Sequence, residues 1–311
     1  MGRLSETKIV VVKRKTRLDD LIYRFNTIAQ AKFYIEHLGA DFSDYLIEHD
    51  IYNQSVLEVE SIISQLGRVQ IIDRSFLPNF IFGKEDLVIA IGQDGLVANT
   101  LKYLEEQLLI GVNPDPQRWD GILLPFNVAD LRMIVTDVFR GRGNYKEVTM
   151  AKAILNDGQA LYAVNDFFVG QKTHTSARYL IYSGSKSESQ SSSGIIISTG
   201  LGSTGWFRSV MAGATAIVKA NSNLSVNLQP KSISWDKDQL FFSVREPFPS
   251  KTSQASLVFG TVSQNKPLKI LSQMPENGVI FSDGIESDFL SFNSGVEAVI
   301  TIAEKKGKLV V

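Results

Sequence analysis

Residues Val88 to Leu104 read VIAIGQDGLVANTLKYL, and this stretch decides how the first half of the chain folds. An apolar run ends in Gly-X-Asp-Gly, and a helix-like pattern follows at once. In open parallel sheets, ligands bind at the carboxyl ends of strands, where N–H groups of the next helix can face an anion. Gly92 and Gly95 would let the chain turn tightly and let a phosphate approach the backbone.

Asp94 lies between these glycines, although a carboxylate repels phosphate. It fits the corner if it accepts the proton of a hydroxyl that attacks a phosphoryl group. The other interpretation is a plain strand-to-helix turn in which Asp94 only caps the helix. This motif alone does not decide between the two.

Two further elements bear on the choice. A second glycine-, serine- and threonine-rich corner, IIISTGLGSTGWFRS, spans Ile195 to Ser209 and again leads from an apolar strand into a helix. Asn165 and Asp166 interrupt the strand-like YAVNDFFVG, and such side chains could hydrogen-bond the paired hydroxyls of a ribose. A β-bulge or turn is the alternative interpretation of that pair.

The length of 311 residues allows about two domains. Strands alternate with helical segments over the first 130 residues, which predicts a doubly wound, mainly parallel α/β domain. Short strands follow from about Ala160 and predict a β-rich, mainly antiparallel second domain. We expect domains at 1–135 and 136–311, with the last strand a candidate for return to the first domain.

Several local predictions accompany this division. We expect a strand over residues 8–13, and helices over 21–40, 96–109 and 204–221. The serine-rich segment SGSKSESQSSS, residues 183–193, predicts a flexible hairpin tip.

Composition excludes some classes of function. The net charge of −1 gives no global field for nucleic acid or an anionic membrane. The apolar runs are far shorter than the roughly 20 residues of a membrane helix. The chain has no cysteine and only three scattered histidines, so no metal ligand is assigned and no Ser-His-Asp triad is supported. We expect a cytoplasmic protein.

In this order and at this spacing, the three elements resemble the NAD kinase family. That family has a Gly-Gly-Asp-Gly motif in an α/β domain, then an Asn-Glu motif, then a Thr-Gly-Ser-Thr-like loop in a β-rich domain. Residues 110–126 and 240–248 are similar to the mitochondrial-type branch and its bacterial relatives. The segment SDGIES, residues 282–287, resembles a late Asp-Gly motif of the family, although a hairpin turn explains it equally well. The resemblance covers roughly residues 86–300.

The resemblance implies an NAD kinase-like two-domain fold and phosphorylation of the adenosine-ribose 2′-hydroxyl of NAD, giving NADP. It further implies ATP and Mg²⁺ as cofactors, NAD as substrate and a homo-oligomer, expected to be a dimer. Asp94 matches the catalytic base of the family. The implied substrate- and nucleotide-binding residues are Gly92, Gly95, Asn165, Asp166, Thr199, Gly202, Ser203, Thr204, Gly205, Trp206 and Ser209.

The chain also departs from the family pattern. Gln93 replaces a glycine, and would be strained by about 1 kcal/mol or more if that position needs a positive φ. Leu96 replaces the usual threonine, and Asp166 replaces glutamate. A non-catalytic NAD(P)-binding or sensing protein is therefore the second hypothesis. A kinase for a lipid or another alcohol is the third, and Asn165 argues against it because a lipid needs no ribose clamp.

Overall fold

The computed structural model describes residues 4–222 and 233–311, except for the side chains of Glu286 and Ser287. The chain divides into two compact units. Unit 1 comprises Met1–Lys146 with Gly307–Val311, and unit 2 comprises Glu147–Lys306. The predicted boundary at residue 135 falls inside a helix, so the division lies further along the chain.

Unit 1 contains alternating strands and helices. Its strands are β1 (Lys8–Lys13), β2 (Arg68–Asp73), β3 (Leu87–Ile91), β4 (Leu108–Asn113) and β5 (Phe126–Asn127). Its helices are α1 (Arg17–Phe25), α2 (Ile28–His37), α3 (Ser43–Ile63), α4 (Asp94–Leu101) and α5 (Leu131–Phe139). Short 3-10 helices cover Arg74–Asn79 and Val128–Asp130.

The sheet of unit 1 is parallel, with strand order β2-β1-β3-β4. Its central strands are continuous apolar runs because both faces are covered. On one face, Ile9, Ile89 and Val112 pack with Val59 of α3 and Val135 of α5. Helix α4 packs against β3 and β4. The carboxyl ends of these parallel strands therefore meet at one edge, where β3 leads into α4.

The predicted helix over residues 21–40 is two helices in the structure. Asn26 ends α1 in the left-handed conformation, with φ 65°. Thr27 then caps α2, since its hydroxyl accepts the N–H of Gln30 at 3.2 Å. Asparagine tolerates this conformation and threonine supplies a cap, so the local sequence favours the break.

The predicted helix over residues 96–109 is also shorter in the structure. Helix α4 ends at Leu101, and Leu108 already begins β4. The apolar run LLIGVN belongs wholly to the strand. A short apolar run does not by itself distinguish a buried helix from a buried strand.

Unit 2 is β-rich, as predicted. The strands of unit 2 are β6 (Tyr145–Leu155), β7 (Ala160–Ala163), β8 (Asp166–Gln171), β9 (Ala177–Ser183), β10 (Lys186–Ser192), β11 (Ile195–Ser198), β12 (Leu240–Val244), β13 (Phe259–Val262), β14 (Leu268–Ser272), β15 (Gly278–Ser282), β16 (Ile285–Ser291) and β17 (Glu297–Val310). The first two residues of β6 still belong to unit 1. A 3-10 helix, Leu201–Thr204, leads into α6 (Trp206–Asn221).

Two antiparallel layers enclose the core of unit 2. One layer has the order β13-β12-β11-β8-β15-β16, and the other contains β10-β9-β14-β17 with β6 and β7. Phe167 and Phe242 of the first layer share a core with Tyr179 and Ile300 of the second. The last residues of β17 belong to unit 1, where Leu309 pairs with Leu109 in parallel.

The serine-rich segment is a strand over most of its length, so the prediction of a hairpin tip is wrong for residues 186–192. Its buried side chains are polar and find polar partners. The Tyr179 hydroxyl bonds to Gln190 at 3.1 Å and to Ser192 at 2.7 Å. The Glu188 carboxylate accepts the N–H of Leu257 at 2.9 Å. Hydrogen bonds, rather than apolar burial, hold this strand.

Within the described residues, no helix is long and apolar enough to cross a membrane.

We expect Tyr179→Phe to lower the free energy of unfolding by about 1–2 kcal/mol, because buried Gln190 and Ser192 lose a hydrogen-bond partner. Urea denaturation followed by circular dichroism measures the change. Tyr182→Phe on the same strand is the matched control, with an expected change within about 0.5 kcal/mol, since Tyr182 is only half-buried. Equal stability of Tyr179→Phe and the wild type would contradict this account of the strand.

Candidate active site

Asp94 lies where strand β3 turns into helix α4. We call residues 91–95 the Asp94 corner. Gln93 is the N-cap residue of α4, with φ −119° and ψ 163°. This is ordinary extended backbone, so the condition for strain at Gln93, a positive φ, is not met.

The two glycines of the Asp94 corner have different surroundings. A Cβ on Gly92 would lie 3.0 Å from Cδ2 of Leu96 and 3.6 Å from Nε of Arg14. A Cβ on Gly95 would meet no atom within 4 Å. Gly92 therefore serves the close packing of two side chains, whereas Gly95 leaves the start of α4 uncovered.

The carboxylate of Asp94 is oriented by the loop after β4. The Leu123 N–H donates to Oδ1 of Asp94 at 2.8 Å. The loop reaches this position because Gly111 has no side chain, since a Cβ there would lie 2.0 Å from the Leu123 carbonyl oxygen. Oδ2 has no hydrogen-bond partner among the described residues. One oxygen is thus fixed, and the other is available to a ligand.

Arg14 lies beside the Asp94 corner and was not among the residues predicted from the sequence. Its Nη2 forms an ion pair with Oε1 of buried Glu48 at 2.8 Å, and its guanidinium lies 4.8 Å from the ring centroid of Tyr52. The Tyr52 hydroxyl accepts the backbone N–H of Arg14 and donates to the carbonyl of Ile91, both at 2.9 Å. Arg14 Nε is buried and has no partner within the described part of the chain. The basic run KRK, residues 13–15, was the available signal.

The partner of Arg14 stays ionised. Burial raises the pKa of Glu48, but hydrogen bonds from Arg17 and Arg14 outweigh burial and bring that pKa below its ordinary value. A charged, buried carboxylate therefore holds the guanidinium of Arg14 in place.

In unit 2, Val164 and Asn165 separate strands β7 and β8, and we call these two residues the Asn165 break. The Asp283 carboxylate accepts the N–H of Val164 at 3.0 Å and the N–H of Asn165 at 2.6 Å. On the carbonyl side, the Thr199 hydroxyl donates to Val164 at 2.6 Å, and the Thr199 N–H donates to Asn165 at 2.9 Å. Two residues, Asp283 through its carboxylate and Thr199 through its hydroxyl and its own backbone N–H, thus support all four backbone groups of the break.

The second glycine-rich corner lies directly against the Asn165 break. A Cβ on Gly202 would lie 2.0 Å from the carbonyl oxygen of Asn165. The Gly202 N–H donates to the Thr199 hydroxyl at 3.1 Å. The structure therefore brings together the predicted residues Asn165, Asp166, Thr199 and Gly202.

Asn165 and Asp166 keep their polar side-chain groups free of hydrogen bonds to the described residues. Asp166 is only 8% exposed. Burial, with a smaller contribution from the charge of Asp283, raises the pKa of Asp166 to about 7. Asn165 is half-buried. Because the polar side-chain groups of both residues are left without hydrogen bonds to the described residues, the pair can donate to and accept from the hydroxyl groups of a sugar.

The other predicted residues of this corner lie at the start of α6. The hydroxyls of Ser203 and Thr204 donate to carbonyls of their own 3-10 turn, at 2.6 and 3.5 Å, and so have a structural use. Gly205 and Ser209 are exposed. Trp206 begins the helix.

The Trp206 ring belongs to an aromatic group. It is stacked on Phe168, with ring centroids 5.7 Å apart and an interplanar angle of 10°. The Arg245 guanidinium lies 5.4 Å from the Trp206 ring centroid. Arg245 is a second residue that sequence reasoning did not assign to the site, although it lies in the family-like segment 240–248.

No protein-family model matches the chain. Two curated relatives are NAD kinase 2, mitochondrial, from Homo sapiens and from Rattus norvegicus. Each is 24% identical over 326 aligned positions that cover 82% of this chain, and 74% and 77% of the human and rat proteins.

Two solved structures are similar in fold. An NAD kinase from Archaeoglobus fulgidus in complex with ATP has a TM-score of 0.59, with 98% of this chain and 94% of that chain covered. A yeast NADH kinase complexed with NADH has a TM-score of 0.60, with 99% and 84% covered. Both are 13% identical to this chain. The predicted resemblance to the NAD kinase family and the predicted two-domain fold class are confirmed.

We expect Asp166→Asn to change how stability depends on pH. The folded-state pKa of Asp166 is about 7, against an ordinary value of 3.8, so the folded state binds more protons between these values. The wild type therefore loses stability as pH rises from about 4 to 7, whereas the neutral amide does not. The variant should gain on the order of 2–4 kcal/mol relative to the wild type across this range. Urea denaturation at a series of pH values measures it, and a constant difference would contradict the assignment.

Proposed function

We propose that this chain is an NAD kinase that transfers the γ-phosphoryl group of ATP, with Mg²⁺, to the adenosine-ribose 2′-hydroxyl of NAD. The product is NADP. The names of the relatives support this activity, since the curated relatives are NAD kinases and the similar structures are an NAD kinase with ATP and an NADH kinase with NADH. The observation that carries the proposal is the Asp94 carboxylate, fixed at Oδ1 by the Leu123 N–H and unpartnered at Oδ2 among the described residues.

Asp94 has the chemistry of a general base. Its Oδ2 accepts the proton of the ribose hydroxyl while the hydroxyl oxygen forms a bond to the γ-phosphorus, and the bond from that phosphorus to ADP breaks. The Leu123 N–H restrains the carboxylate, so its free oxygen keeps one direction. Positioned bases of this kind contribute about 10²–10⁴-fold to the rate.

Asn165 and Asp166 are assigned to the ribose hydroxyls of NAD. The amide of Asn165 can donate and accept, and the carboxyl of Asp166 can accept from a sugar hydroxyl. The remaining assignments to NAD and ATP, which stay predictions, are Gly92, Gly95, Thr199, Gly202, Ser203, Thr204, Gly205, Trp206 and Ser209.

Mg²⁺ fits the donor set only together with the nucleotide. Among the described residues, no group of three or more acidic or histidine side chains could enclose a metal ion. Mg²⁺ in kinases is commonly held by one or two carboxylates and the substrate phosphates. Because Oδ2 of Asp94 is assigned to the proton of the ribose hydroxyl, the ion would be held mainly by the phosphates of the nucleotide. When bound, the ion neutralises charge on the phosphates.

A non-catalytic NAD(P) sensor is the second candidate, and Leu96 favours it. Its buried side chain packs under Gly92 and supplies no hydroxyl to a phosphate. Incubating the purified protein with ATP, Mg²⁺ and NAD separates the two functions, because a sensor binds the dinucleotide and forms no NADP. The polar Asn165 and Asp166 argue against a lipid acceptor.

A cytoplasmic location and a homodimer belong to the same proposal. Both curated relatives are named mitochondrial proteins. Microscopy of a fluorescently tagged chain would show whether this protein lies in the cytoplasm or in another compartment. Light scattering of the purified protein measures the assembly.

We expect Asp94→Asn to lower kcat for NADP formation by at least about 10²-fold, because the amide cannot take the proton. NAD binding measured by calorimetry should change little. Asp50→Asn, on the exposed side of α3, is the matched control and should keep wild-type kinetics. An Asp94→Asn enzyme with near-normal kcat would refute the role of Asp94.

A further inference from the structure

The Asp283 carboxylate is presented by an unusual turn. Ser282 pairs with Ile285, so Asp283 and Gly284 form a two-residue turn between β15 and β16. Their φ values are 56° and 71°. Two positive φ values are characteristic of a type I′ turn, which accepts Asp-Gly. The motif therefore fixes both the turn and the direction of a short acidic side chain.

This turn binds a segment that is distant in sequence. Besides the N–H groups of Val164 and Asn165, the Asp283 carboxylate lies 3.4 Å from the N–H of Asp166. The Asp283 N–H donates in return to the carbonyl of Asp166 at 3.0 Å. The Asn165 hydrogen bond joins residues 118 positions apart. A hairpin turn needs none of these contacts for its own formation.

Asp283 and Thr199 divide the support of the Asn165 break between them. Asp283 takes its N–H groups, and Thr199 takes its carbonyl groups. Asn165 and Asp166 are thereby held in one backbone conformation without using their own side chains. This arrangement places the Asp283 carboxylate close to Asp166, and the repulsion between two like charges disfavours ionisation of Asp166. The hydrogen bonds that Asp283 makes to the backbone of the segment offset this repulsion.

We propose that Asp283 is a positioning residue for dinucleotide binding, which clamps the Asn165 break so that the side chains of Asn165 and Asp166 face the ribose. This inference rests on the proposed function for the identity of the ligand. The clamp itself is a property of unit 2 and can be measured without any ligand.

Asp283→Gly is the main test, because glycine keeps the positive φ and removes the carboxylate. Asp283→Asn keeps the turn and one acceptor oxygen, so its effects should be intermediate. Asp157→Gly is the matched control, since Asp157 accepts the N–H of Gln159 at 3.0 Å in the exposed turn between β6 and β7. It removes a turn carboxylate from the same unit without touching the Asn165 break.

Amide hydrogen exchange measured by NMR is the first readout. The N–H groups of Val164 and Asn165 should exchange at least tenfold faster in Asp283→Gly than in the wild type or in Asp157→Gly. Unchanged exchange at these two amides would overturn the clamp, whatever the protein catalyses.

Steady-state kinetics give the second readout. KM for NAD should rise at least tenfold in Asp283→Gly, while kcat changes less than threefold, and Asp157→Gly should match the wild type. Faster exchange with an unchanged KM would overturn the positioning role. If the wild type forms no NADP, the proposed function fails instead, and the same comparison is made with the dissociation constant for NAD from calorimetry. A wild type that also binds no NAD would overturn the positioning role, while exchange would still decide the clamp.

Discussion

A strand that stops inside a protein leaves backbone N–H and C=O groups that need partners, and burying them unpaired costs about 1–3 kcal/mol each. In this chain, polar groups that are distant in sequence supply those partners at the strand ends next to the candidate site residues. Asp283 and Thr199 support the gap between β7 and β8, and the Tyr52 hydroxyl bonds to the carbonyl that ends β3. The candidate site residues stand where regular strand pairing ends.

The same arrangement determines which polar groups remain for a ligand. Asp283 and Thr199 hydrogen-bond to the backbone N–H and carbonyl of Asn165. The side chains of Asn165 and Asp166 are therefore not needed for these local hydrogen bonds. In unit 1, the Leu123 N–H occupies one oxygen of Asp94 and leaves the other. Each unit therefore offers a fixed but incompletely satisfied polar group, which is the condition for binding a hydroxyl-rich substrate.

The sequence predicts those strands and site residues that follow from local patterns. The run KIVVVK predicts β1 with its observed bounds, because a parallel strand covered on both faces is apolar at its inner positions, and only the two end lysines are half-buried. Glycine-rich corners and the polar interruption at Asn165 identify the candidate residues. Elements that depend on polar partners distant in sequence cannot be predicted from local patterns.

The sequence around Asp283 indicates only a hairpin turn, because no neighbouring residue points to a hydrogen-bond partner 118 positions away. The serine-rich strand β10 lacks apolar alternation, and its partners Tyr179 and Leu257 lie on other segments. Whether Gln93 is strained could not be predicted from the sequence, because replacing a glycine strains the backbone only where φ is positive. Its value of −119° removes that objection to the family resemblance.

A crystal structure of the protein with NAD is the decisive experiment. We expect Oδ2 of Asp94 to accept a hydrogen bond from the adenosine-ribose 2′-hydroxyl, with the Leu123 N–H still on Oδ1 and the Asn165 break unchanged. A bound NAD whose 2′-hydroxyl lies away from Asp94, and whose sugars touch neither Asn165 nor Asp166, would refute the assignment of these residues.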